Sequence, residues 1–122
     1  MKDEIINWLM NIQKIDGIPP SGVVAFNFGI YESPNGYKIY LVGSFEYDEN
    51  DDDWACIAMP TESYRYLDLP KELQSKEWDE ILKHCAESLT ELEQKGKLNI
   101  DLLKNVTAIT TGFDDGELIK IR

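Results

Sequence analysis

The sequence predicts one α+β domain over residues 1–122. It consists of an antiparallel sheet (a three-stranded meander plus a C-terminal hairpin) packed by an N-terminal helix and one long helix. Three observations predict this. Two apolar, alternating runs flank the tetrapeptide Ser33-Pro34-Asn35-Gly36. One stripe of apolar residues at steps of three and four runs through residues 76–95. The strand signals are grouped instead of alternating with helices, which favours antiparallel pairing with helices on one face.

The first element is an amphipathic helix over Lys2 to Lys14. Ile5, Trp8, Leu9, Ile12 and Ile15 recur at helical spacing. Asp3 and Glu4 in the first turn and Lys14 in the last suit the helix dipole. Gly17 stops the helix, and Pro19-Pro20 prevents it from resuming.

The strands VVAFNFGIYE and YKIYLVGSFE follow. Asn35-Gly36 can supply the two positive φ values of a type I′ turn. That turn places Ile30 opposite Leu41, Phe28 opposite Gly43 and Phe26 opposite Phe45. One face then carries Val24, Phe26, Phe28, Ile30, Ile39, Leu41 and Phe45, and the other is mixed. After the acidic stretch YDENDDD, WACIAM reads as the third strand of the meander, and TESYRYLDLP as a short strand or an irregular crossing.

The long helix carries Trp78, Ile81, Leu82, Cys85, Leu89 and Leu92 on one stripe. Ser75 is its expected N-cap and Gly96 its C′ residue. Trp8 and Trp78 both read as core. Asn99 is placed to cap a short helix through Leu103. VTAITTGF and ELIKIR flank a second turn signal, Asp115-Gly116, which sets Phe113 opposite Leu118 and Gly112 opposite Ile119.

Charge is the distinctive part of the composition. There are 23 Asp and Glu against 12 Lys and Arg, a formal charge of -11. Such a field repels nucleic acid and anionic membranes and attracts basic partners. Six of the carboxylates (Glu46, Asp48, Glu49, Asp51, Asp52 and Asp53) form one run without a basic residue, followed by Trp54. Two cysteines, Cys56 and Cys85, are too few for a disulfide framework and read as buried thiols. The N-terminal segment does not read as a signal peptide, and no apolar run is long enough to span a bilayer, so the expected compartment is a reducing cytoplasm.

No recognisable catalytic apparatus is present, and the expectation is a non-enzymatic protein without a cofactor. GxSxG, Walker and GxGxxG patterns are missing. An EF-hand loop starting at Asp48 would require Gly at position 53 and Glu at position 59, where the chain has Asp53 and Met59, so no metal site is expected. His84, the single histidine, lacks the companion ligands of a transition-metal site. Its neighbour Cys85 points elsewhere on a helix.

In size, acidity, the meander with helices, and the C-terminal ITTGFDDGELIKI, the chain resembles the small acidic immunity proteins of bacterial polymorphic toxin and contact-dependent inhibition systems. The resemblance implies a protein that neutralises a cognate basic toxin, such as a nuclease, by covering it. Glu46, Asp48, Glu49, Asp51, Asp52, Asp53 and Trp54, with Asp114 and Asp115, would form the partner-binding surface. Alternative readings are a general adaptor domain, or a small enzyme or ligand-binding domain that uses a cleft between sheet and helices.

Overall fold

The computed structural model describes residues 1–17, 22–34, 36–48, 50–51, 66–113 and 116–122, with Asp16 through its backbone alone. In chain order the elements are α1 (Lys2–Asp16), β1 (Ala25–Ser33), β2 (Gly36–Ser44), β3 (Tyr66–Asp68), α2 (Lys71–Gln74), α3 (Trp78–Gln94), β4 (Ala108–Phe113) and β5 (Ile119–Lys120). The strands form one sheet in the order β3-β2-β1-β4-β5. The α+β class, the N-terminal helix and the long helix follow the sequence.

The sheet is mixed, not wholly antiparallel. β4 lies parallel to β1, from Ala25 beside Ala108 to Ile30 beside Phe113. The other three pairings are antiparallel. A parallel neighbour needs a long crossover, and the chain between β2 and β4, which includes α3, supplies it. Residues 54–59, expected as the meander's third strand, lie outside the described residues. The strand that pairs with the free side of β2 is β3, aligned by the Lys38–Asp68 ion pair at 2.9 Å.

Both hairpin registers differ from expectation. In β1–β2, Ile30 faces Ile39, Phe28 faces Leu41 and Ser33 faces Gly36. The turn is therefore centred one residue earlier, and the register moves by two. Pro34, with φ fixed near -65°, is suited to the first central position of a turn, and Gly36 takes up φ 121° after it. A two-residue shift preserves the faces. Phe26, Phe28, Ile30, Ile39 and Leu41 are accordingly buried, as expected, while Phe45 beyond the strand is exposed.

In β4–β5, Thr111 faces Ile119 and Thr110 faces Lys120. This is one residue from expectation, and the Gly116 amide donates to the Phe113 carbonyl at 3.0 Å. A one-residue slip exchanges faces. Leu118 now packs by Ala25 and Ala108 on the second face, and Ile119 shares the helix-facing side with Thr111.

α1 and α3 cover the first face. Ile5, Leu9 and Ile12 from α1 and Ile81, Cys85 and Leu89 from α3 are fully buried against Phe28, Ile30, Ile39, Leu41 and Ile109. Each such apolar side chain contributes about 1.5–3 kcal/mol. α1 is tied down at both ends: Lys2 pairs with Glu91 of α3, and the Gln13 side-chain Oε1 accepts the Leu102 amide at 2.8 Å. α3 starts at Trp78 after Glu77, so Ser75 is not its N-cap but ends α2. Gly96 follows α3 at φ 74°, as expected, whereas residues 100–105 form turns in place of a capped helix. Among the described residues no helix is long and apolar enough to cross a membrane.

Candidate functional site

β1 and β4 run parallel, so their carboxyl ends, at Ile30–Glu32 and Phe113, emerge together. The first turn of α3 overhangs the same end. Between them lies an open groove of about 1030 Å³, lined by Ile30, Tyr31, Glu32, Tyr37, Trp78, Leu82, Phe113, Gly116, Glu117 and Ile119. Its size lies at the upper end of the range of ligand pockets.

The groove is aromatic and acidic at once. The Phe113 ring meets Tyr37 and Trp78 edge-on, with centroids 6.2 Å away in each case. Tyr31 continues the aromatic surface to Tyr40 and Tyr66, at 5.8 and 5.7 Å. Trp78 is 60% exposed, the largest exposed apolar side chain among the described residues. Its expected place in the core is thus corrected: it opens α3 where the helix projects past the sheet, whereas Trp8 in mid-α1 is buried. Glu32 and Glu117 line the groove, and none of the described lining residues is basic. Burial, followed by the carboxylates of Glu32 and Glu77, pushes the Tyr37 phenol above its ordinary range. Both carboxylates therefore act on a ring that lines the groove.

Of the nine residues singled out from sequence, three are among the described residues. Glu46, Asp48 and Asp51 are exposed and follow the carboxyl end of β2. The groove lies at the amino end of that strand. At roughly 3.3 Å per residue, Tyr37 and Glu46 are about 30 Å apart along it. Asp48 holds its own loop, accepting the Asn50 amide on its carboxylate at 2.9 Å and the Asp51 amide on its carbonyl at 3.2 Å. Glu49, Asp52, Asp53, Trp54, Asp114 and Asp115 lie outside the described residues. Phe113 and Gly116, which flank Asp114-Asp115 in sequence, both line the groove.

Sequence reasoning therefore missed the groove while touching its border. Its residues come from β1, β2, α3, β4, β5 and the approach to β5, which no local pattern brings together. The available signal was an aromatic residue at each edge: Trp78 near the start of the long helix, and Phe113 immediately before Asp114-Asp115 in the sequence.

His84 is exposed, and Cys85 beside it is fully buried. Burial pushes the Cys85 thiol up to about 12. Among the described residues no group of three or more His, Cys, Asp or Glu is placed to hold a metal ion. Comparison of the chain with protein-family models, curated proteins and solved structures finds no match.

Proposed function

We propose that this chain is a protein-binding domain, an immunity protein that neutralises a basic toxin domain by covering it. One observation carries the reading: an exposed tryptophan in an open aromatic groove with acidic walls, on a chain of formal charge -11. Tryptophan and tyrosine are enriched among the residues that dominate binding energy. A net negative field accelerates encounter with a basic partner and makes association salt-dependent.

The test is protection of cells. Candidate toxin domains encoded beside this chain's gene are expressed with and without it. The expected result is rescued growth and a one-to-one complex whose association rate falls as salt rises. Growth arrest by every such candidate, with no complex at low salt, would sink the reading. An adaptor role would then be tested through the same groove.

A further inference from the structure

We infer that the groove at the carboxyl ends of β1 and β4 seats an arginine-bearing segment of the partner, its guanidinium against Trp78 and paired with Glu32 or Glu77. The inference rests on the reading that the partner is a basic protein, and it assigns the place and the contact.

The chemistry of the walls selects the occupant. A guanidinium stacks on aromatic faces and pairs with carboxylates through a planar fork, and is less strongly hydrated than an ammonium. The groove offers both kinds of surface within one concavity: the rings of Tyr31, Tyr37, Trp78 and Phe113, and the carboxylates of Glu32 and Glu117. Glu77 directly precedes Trp78, and its charge, like that of Glu32, acts on Tyr37. No described lining residue supplies a cation to neutralise them. The apolar floor from Ile30, Leu82 and Ile119 suits aliphatic side chains on either side of the arginine. A second copy of this chain would bring another charge of -11 to the same place, so self-association is opposed by like charge.

The acidic loop beyond β2 plays a different part. Glu46, Asp48 and Asp51 are exposed and distant from the groove aromatics. Exposed charges of this kind act mainly on association rate, whereas a buried anchor acts on dissociation rate. The groove therefore holds the partner that the loop attracts.

The test uses two blocked pentapeptides, Ala-Leu-Arg-Phe-Ala and its counterpart with neutral citrulline replacing arginine, titrated into the full-length protein labelled with nitrogen-15. The Trp78 indole N–H signal is identified by its loss in Trp78→Ala. The arginine peptide is expected to move that signal and the Phe113 and Glu32 amides, and to bind about tenfold more tightly than the citrulline peptide. The combined Glu32→Gln and Glu77→Gln exchange should remove that preference while leaving the thermal midpoint unchanged. Equal affinity for the two peptides, shifts centred on residues 46–51, or no shift up to about 5 mM peptide would overturn the inference. Arginine preference without any toxin protection would leave the groove assignment standing and remove the immunity reading. Protection with an unchanged dissociation rate in Trp78→Ala would do the opposite.

Discussion

The ring of Tyr40 lies across Gly29, its partner on the neighbouring strand. A Cβ built on Gly29 would sit 2.1 Å from Tyr40 Cζ and 2.4 Å from its hydroxyl oxygen. An aromatic residue covering a strand glycine supplies the cross-strand packing that the glycine lacks. Tyr40 cannot easily swing away, because Tyr31 and Tyr66 pack around it with centroids 5.8 and 5.9 Å distant. Gly29→Ala should therefore cost about 1–3 kcal/mol, the usual penalty for overfilling a packed site. Gly29→Ala combined with Tyr40→Ala should cost less than the sum of the single changes. Urea unfolding of the four proteins measures the coupling, and strict additivity would show that the two residues do not share the site.

Gln74 replaces a strand partner at the start of β2. Its carbonyl oxygen accepts the Tyr37 amide at 2.7 Å, and its NH₂ donates to the Tyr37 and Leu69 carbonyls at 3.1 and 3.0 Å. One side chain satisfies three half-buried backbone groups at the groove wall. Gln74→Ala should cost about 1–3 kcal/mol, chiefly through the Tyr37 amide and the Leu69 carbonyl, because the Tyr37 carbonyl also accepts the Leu69 amide at 3.2 Å. The Tyr37 amide should exchange its hydrogen faster by a larger factor than amides in mid-β2. Gln74→Glu should not rescue the loss, since a carboxylate cannot donate to two carbonyls. Unchanged exchange at Tyr37 would refute this account.

These two contacts also show what the sequence could reveal. Alternation from Phe26 to Ile30 and from Ile39 to Leu41 determines which side chains face the helices, and these are buried. Alternation has period two, so it cannot distinguish registers two residues apart. That is where the first hairpin differed. Pairing of Gly29 with Tyr40 instead of Val42 depends on Pro34 and Gly36 in the turn. The parallel β1–β4 pair leaves no turn signal, because its strands are joined through α3. The groove, made by that pairing, was invisible for the same reason. Trp78 shares a stripe with Ile81 and Cys85, but a stripe does not show where the helix outruns the sheet.

Cys85 should be chemically silent in the folded protein. It is fully buried on α3, and burial holds its thiol at about 12, so almost no thiolate exists at neutral pH. In a Cys56→Ser background, a disulfide reagent should modify Cys85 at least about 100-fold more slowly in buffer than in denaturant. Labelling at comparable rates would show that this part of the core opens readily.

Arg122 closes the far side of the core against Glu93 of α3. Its Nη2 donates to Glu93 Oε1 at 2.9 Å and its Nε to Oε2, while Nη1 donates to the Leu103 and Val106 carbonyls at 2.6 and 3.3 Å. The Arg122 hydrogen bonds hold the Glu93 carboxyl below its ordinary value. A carboxylate depressed in the folded state stabilises that state fully above its unfolded value, about 4.3. The contribution is lost as pH falls through the lower folded value. Arg122→Ala should therefore cost about 1.5–3 kcal/mol at neutral pH. The gap to the unaltered protein should narrow below about pH 4.3 as Glu93 takes up a proton. A remainder should persist at the lowest pH, because the two carbonyl contacts do not titrate. Glu93→Gln should lose stability at neutral pH and show a flatter dependence on acid than the unaltered protein. Chemical denaturation across this range gives the answer: a gap that widens on acidification would mean that Arg122 acts through some group other than Glu93.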